Sequence, residues 1–378
     1  TLALYLGQGE IIAARYPANL NMTVSFDPAQ NQDLDLDGAA SLVNRFAREQ
    51  GVPVTGVDAA EYLHFNVLAN PATGRLEVGA QGENTDRRAL YLLTAQGYAA
   101  LTGDRAPSLQ PGEAAVCGAL PEGFGPELTI QGIDGGREVG DPQSLHSAQA
   151  LPEIEYFRTT FDMNEPLCLV VSDRTMLARL WALQSQALDN YAANRTAVLL
   201  VDLECTNEEE LALVDAWADA SVNEGFFDGT GTWEYWRVES RAEMAVDGYG
   251  MAGGFLFLGI VLGIIFLMAT VLIIYYKQVS EGYEDQGRFE IMRKVGLSQR
   301  QVKSSIRGQV LIVFFLPILV AAVHILFDFN LVARMLTMFG VRNVMTVVLC
   351  TGGTLAAFLA VYVLVYLLTA RTYYKIVK

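Results

Sequence analysis

Lysine is absent from the first 276 residues, and the first to appear is Lys277. All 14 basic residues before it are arginines, set against 37 aspartates and glutamates. From Lys277 onward the balance reverses, with 12 Lys and Arg against 5 Asp and Glu. So acidic a first part repels nucleic acid, which removes that class of partner. Two parts of opposite sign point to two different environments. The acidic part is open to two readings, a surface that attracts cationic ligands or simply a well-solvated one.

Histidine and cysteine are scarce as well, with 3 and 4 residues. Cys117, Cys168, Cys205 and Cys350 form no CxxC pair, which argues against a structural zinc site. Cys168 and Cys205 fall on two expected strands. Either these strands are neighbours and a disulfide joins them, or the cysteines are separate small buried residues. The sequence has no G-x-S-x-G and no H-E-x-x-H, and His64 and His146 are the only histidines before the apolar region. The expectation is a chain without catalytic residues, metal or cofactor of its own. Two acidic stretches leave room for a cation. "NEEE" (207–210) equally suits the first turn of a helix, where acids favour the dipole. "DLDLDG" (33–38) resembles part of a calcium loop but lacks the closing glutamate. "NMT" and "NRT" fit the glycosylation pattern, which is too short to weigh much.

Charge is also missing from three long apolar runs, 251–276, 310–327 and 344–368, in which His324 is the only titratable candidate cation. A bilayer core about 30 Å thick needs about 20 apolar helical residues. The first and third runs reach roughly 37 Å as helix, and Gln309 and Asp328 can sit in the interface at the ends of the second. Three membrane spans are therefore expected. Lys277, Arg288, Arg293, Lys294, Arg300, Lys303 and Arg307 follow the first span, and Arg371, Lys375 and Lys378 follow the third. Only Arg334 and Arg342 lie between the second and third. The positive-inside rule then puts 277–309 and 369–378 in the cytoplasm, and 8–245 and 328–343 outside. Residues 1–7, "TLALYLG", read as the end of a truncated transmembrane helix and suggest a fragment of a longer protein. Pro317 is expected to kink the second span, and Gly259 and Gly263 have the small-xxx-small spacing of close helix contact. His324 falls near the outer interface. No acid or base inside a span argues against a proton- or sodium-driven relay.

The outer region has the periodicity of a mixed α/β domain. "LNMTVSF", "EYLHFNVLA", "ALYLLT" and "ELTIQG" read as strands, and "DGAASLVNRFAREQG" as a helix ending at Gly51. Further on, "PLCLVVS", a helix capped by Asp173, "TAVLLVDLE", a helix opened by Thr206 or Asn207, and "TWEYWRVES" alternate as an α/β layer. Trp233, Tyr235 and Trp236 are open to three readings: an interfacial belt, core, or a ligand surface. The fold class is thus an α-helical transmembrane bundle, three spans here, with a large extracytoplasmic α/β domain.

Between the first two spans, "RFEIMRKV" reads as a short helix with Phe289, Met292 and Val295 on one face, stopped by Gly296. Ser298 and Gln301 have capping-box spacing, so a second helix starts there. This small amphipathic knob suits either anionic lipid or a groove on a cytoplasmic partner.

The stretch "SEGYEDQGRFEIMRKVGLSQRQVKSSIRGQVLIVFFLP" resembles the last cytoplasmic loop of FtsX-like ABC permeases. Their pattern, R-x-E-I followed by G-x-S, is matched by Arg288, Glu290, Ile291, Gly296 and Ser298. The "SEGYED" lead and the "TARTYYKIV" end look like the bacitracin-exporter (BceB-type) branch, and the likeness covers roughly 251–378. It implies a multi-pass permease of the bacterial plasma membrane, with ten spans and one large outer domain between the seventh and eighth. It also implies a separate ATP-binding cassette ATPase as partner, coupled through Arg288, Phe289, Glu290, Ile291, Met292, Arg293, Val295, Gly296 and Ser298. The absence of G-x-x-x-x-G-K-[ST] agrees with ATP hydrolysis in another subunit. The branch further implies a peptide antibiotic or its complex with a lipid precursor as ligand, and a membrane histidine kinase as a signalling partner. The alternative is a regulator that transports nothing and binds an extracytoplasmic partner protein, as FtsX itself does.

Overall fold

The computed structural model describes residues 1–26, 36–80, 87–157, 166–187, 195–223, 235–296, 298–341 and 343–377. Some side chains within these ranges, Phe289, Arg293, Tyr235 and Trp236 among them, also lie outside the description. The chain divides into two compact units. One comprises Thr1–Gln8 with Tyr249–Lys378, and the other Gly9–Gly248.

The sheet-rich unit starts in helix α1 (Leu2–Arg15) and continues through β1 (Leu20–Phe26), α2 (Leu36–Glu49) and the long strand β2 (Val54–Asn70). The other framework strands come late in sequence: β9 (Arg195–Leu203), then helix α5 (Asn207–Asn223) and β10 (Tyr235–Ser240). The spatial order is β10-β1-β9-β2. β1 runs antiparallel to both β10 and β9, and β2 antiparallel to β9. This is the split β-α-β arrangement, whose two crossovers return by a helix. Both helices cover one face. Ala39, Val43, Phe46 and Ala47 of α2 meet Leu213 and Trp217 of α5 over Met22, Val24, Leu199 and Val201. The Phe46 and Trp217 rings meet edge to face at 5.0 Å. α2 ends where Val52 N–H reaches back to Ala47 O and Gly51 takes a φ of 79°, as its sequence predicts.

Everything between β2 and β9 is an insertion with its own core. It contains β3 (Arg75–Val78), β4 (Arg87–Thr94), α3 (Ala95–Thr102), β5 (Glu113–Cys117), β6 (Glu127–Asp134), β7 (Arg137–Leu151), β8 (Leu167–Val171) and α4 (Arg174–Ala187). The pairing runs β2-β3-β6-β7-β5-β8-β4 and returns to β2, a closed circuit that leaves these strands no open edge. Alternation decides what fills it. Leu63, Phe65 and Val67 of β2, Ala114 and Val116 of β5, and Leu167, Leu169 and Val171 of β8 share one apolar cluster with Leu177, Leu180 and Leu183 of α4. Their neighbours in sequence, Tyr62, Ala115, Cys117, Cys168 and Val170, belong to a second cluster with Tyr98 and Phe157.

The expected α/β character is present, but the strands do not form a simple layer. β8 pairs with β4 and β5, whereas β9 pairs with β1 and β2. Cys168 is therefore not beside Cys205. The residue opposite it is Cys117, and all four cysteines are free thiols.

The other unit is helical. α6 (Arg241–Lys294) has 54 residues, α7 (Gln299–Met338) 40 and α8 (Val344–Val377) 34. Each contains a stretch long and apolar enough to cross a membrane, with mean hydropathies of 3.0, 2.1 and 2.2. Two expected boundaries change. The segment after the first apolar run is helical up to Lys294, not a loop carrying a separate short helix. The second candidate span continues as helix to Thr337, through Asp328 and Arg334, where an outer loop was expected. A Cβ at Gly259 would lie 3.0 Å from Thr1 Oγ1, and one at Gly263 4.0 Å from the Phe358 ring, so this glycine face is a contact face.

Candidate functional site

Two places concentrate polar geometry, and α6 carries both. The first is the turn after its C-terminus. No proline interrupts residues 277–294, and i,i+3 and i,i+4 pairs support the helix there: Lys277–Glu281, Arg288–Asp285 at 3.3 Å and Lys294–Glu290 at 3.0 Å. Gly282 and Gly287 are tolerated within it. This explains why "RFEIMRKV" is the last stretch of α6 and not a helix of its own. Val295 N–H still bonds Ile291 O at 3.0 Å, and Gly296 then breaks the pattern with a φ of +105°, which side-chain-bearing residues rarely adopt.

Ser298 restarts the chain as the cap of α7. Its hydroxyl accepts from Gln301 N–H, while its own N–H donates to Gln301 Oε1 at 3.0 Å, completing the capping box that the sequence predicts. Arg288, Glu290, Ile291, Met292, Val295 and Ser298 are all exposed. Val295 is 78% exposed and Ile291, one turn earlier, 63%. The structure thus brings the expected site residues together on one helix end and turn. Apolar tips flanked by paired charges suit a contact surface, not chemistry.

The second place was not expected from the sequence. Glu210, in the first turn of α5, is 2% exposed. Its Oε2 accepts from Asn19 Nδ2 at 2.8 Å. Its Oε1 accepts from Ser240 Oγ at 2.6 Å and from Ala242 N–H at 2.9 Å. Ser240 Oγ in turn accepts from Glu243 N–H at 3.1 Å, and Asn19 Oδ1 from Leu203 N–H at 3.0 Å. The Arg241 guanidinium donates to Tyr16 O at 2.9 Å and to Pro17 O. A buried carboxylate therefore satisfies the opening amides of α6 and ties them to the start of β1, and anions are favoured at such a helix start. The spacing S-x-x-E in Ser240–Glu243 was a readable signal for this helix start. Nothing in the local sequence marks Glu210.

The three glutamates of "NEEE" do not converge on a cation. Glu208 is exposed, Glu209 accepts from Thr206 N–H at 2.8 Å and Thr206 Oγ1 at 2.9 Å, and Glu210 is committed to α6. The Thr206 bonds hold the Glu209 carboxyl below the usual glutamate range. Burial, then Glu210 and Glu209, push the nearby Cys205 thiol up. The first half of "DLDLDG" (33–35), Trp233, the side chains of Tyr235 and Trp236, and the "NRT" asparagine lie outside the described residues, and Leu36, Asp37 and Gly38 open α2. Asn21 of "NMT" is buried, its amide bonded to Ala18 O at 3.0 Å, so no glycan fits there. His146 pairs with Glu127 at 2.6 Å at the surface, and His64 stacks on Tyr91. His324 is exposed on α7. An apolar cavity of about 460 Å³ lies among the first residues of α1, Pro317 of α7 and Phe358 of α8. Among the described residues, no charged side chain lines it.

No protein-family profile matches the chain. One stretch of it resembles an ABC transporter permease. The relative is the ABC transporter permease protein YxdM of Bacillus subtilis (strain 168), 33% identical over 78 residues. That stretch is 21% of this chain and 12% of the relative, so only a small part of the relative's length is matched. Among the described residues, three helices are also long and apolar enough to cross a membrane.

Proposed function

We propose that this chain is part of the permease subunit of a bacterial ABC system, driven by a separate ATPase. The similarity to a named ABC transporter permease carries the reading. The exposed, capped turn at Arg288–Ser298 supports it, because a firm helix end with apolar tips is what a partner's groove can grip. The basic residues around that turn support a cytoplasmic side for it by the positive-inside rule, and with it an outward sheet-rich unit.

Within that reading, the branch is the bacitracin-exporter one and the task is resistance to antimicrobial peptides. The acidic outer unit engages a cationic peptide or its complex with a lipid precursor, and a membrane histidine kinase reads the engagement. ATP-driven closure of the partner displaces the turn, and α6 carries the displacement to the junction around Glu210, from which it reaches the sheet.

The test is the double variant F289D/M292D in cells carrying the whole system. It is expected to insert normally while peptide resistance and ligand-stimulated ATP hydrolysis fall at least tenfold. Wild-type resistance in a normally inserted variant removes the coupling role. Co-purification of a cell-wall hydrolase with the outer unit, and of no peptide–lipid complex, replaces transport by regulation.

A further inference from the structure

We propose that Cys117 and Cys168 are a disulfide site that staples β5 to β8 across the closed strand circuit. Cys117 ends β5 and Cys168 is the second residue of β8, and the two are register partners in an antiparallel pair. Opposed residues in such a pair have Cα atoms about 4.5–5.5 Å apart. A disulfide spans Cα separations of about 4.4–6.8 Å, so no strand has to move. Both side chains lie on the same face, packed with Tyr98, Phe157 and Val170. After burial, the Cys117 thiol is what pushes the Cys168 thiol up, as two side chains opposed in register do.

The other cysteines are not alternatives. Cys205 follows β9, which does not pair with β8, and Cys350 belongs to α8 in the other unit. Cys117 and Cys168 are 2% and 4% exposed, and burial pushes the Cys168 thiol well above the usual thiol range. A dissolved oxidant has no access to them in the folded chain. The bond therefore forms while the insertion folds, and burial then protects it from exchange.

With glutathione disulfide as oxidant, one cysteine thiolate attacks it and releases one glutathione. The second cysteine attacks the mixed disulfide and releases the other. Two electrons pass from the cysteine pair to glutathione disulfide, and the two protons end on the glutathione thiols. Formation in cells rests on the outward placement proposed above, since disulfides persist in oxidising compartments. The geometry does not depend on it.

The experiment has two arms, each ending in alkylation of free thiols under denaturing, non-reducing conditions and mass spectrometry of the digest. In one arm the full chain is synthesised in vitro into lipid vesicles with glutathione disulfide present. In the other it is taken from membranes of the producing cells. A peptide linking Cys117 to Cys168 in both arms is the expected result. Linkage in vitro with free thiols in cells upholds the site and contradicts the outward placement. Free Cys117 and Cys168 in vitro, or linkage of either to Cys205 or Cys350, overturns the proposal.

Discussion

Glu210 accepts the Ser240 hydroxyl at 2.6 Å through the same carboxylate oxygen that receives the Ala242 amide at 2.9 Å. One buried side chain of α5 thereby ends β10 and begins α6. Glu210→Ala leaves Asn19, Ser240 and Ala242 without their acceptor, and hydrogen bonds to a charged group are worth about 1.5–3 kcal/mol each. A loss of about 3 kcal/mol is expected, with Glu210→Gln intermediate and exposed Glu208→Ala neutral. Denaturant midpoints of the full chain in detergent rank the three. If Glu208→Ala and Glu210→Ala are equal, the junction has no structural role.

Gly296 sets the second prediction. Its φ of +105° is the obstacle, because a Cβ there would meet no heavy atom within 4 Å. Asparagine tolerates positive φ better than alanine, and valine least of all. Ligand-stimulated ATPase activity is expected to fall in the order Gly, Asn, Ala, Val at this position. The membrane content of the variants should stay level. Equal activity for Asn and Val would mean that the turn does not need this backbone shape.

Thr206 and Glu209 give a pH dependence with a defined sign. The folded-state carboxyl of Glu209 is held below its ordinary 4.5, first by the Thr206 backbone bond and then by its hydroxyl. The resulting stabilisation is full above pH 4.5 and fades as pH falls through the lowered value. Thr206→Pro removes both donors. It is expected to flatten the drop in thermal midpoint predicted for the parent between pH 5 and pH 3. An unchanged slope would assign the acid sensitivity to other carboxyls.

Much of the fold was legible, for reasons that separate local from distant interactions. Strands such as Leu20–Phe26 and Leu167–Val171 announce themselves by alternation or by a short apolar run. The Asp173 cap, whose carboxylate accepts from Thr175 and Met176 N–H at 2.9 and 3.1 Å, and the Ser298 capping box are likewise local. Partner choice is not. Nothing near Cys168 says that it faces Cys117, because strand order is decided by hydrogen bonds between distant segments. Glu210 looks like its neighbours Glu208 and Glu209 until the start of α6 arrives beside it. The stretch before "RFEIMRKV" reads as loop in sequence, yet the helix runs on through Gly282 and Gly287, supported by the flanking ion pairs.

Topology supplies a further prediction. A cysteine at Val295 is expected to resist a membrane-impermeant maleimide in intact cells and to react after permeabilisation. A cysteine at Glu208 is expected to react in both. Reaction at Val295 from outside would invert the proposed arrangement.

The most direct measurement places a photo-crosslinking amino acid at Val295, 78% exposed beside the Gly296 turn, in cells that carry the whole system. Irradiation followed by mass spectrometry is predicted to yield an adduct with a nucleotide-hydrolysing subunit. Adducts with lipid alone, or with an extracytoplasmic protein, would contradict a cytoplasmic coupling turn.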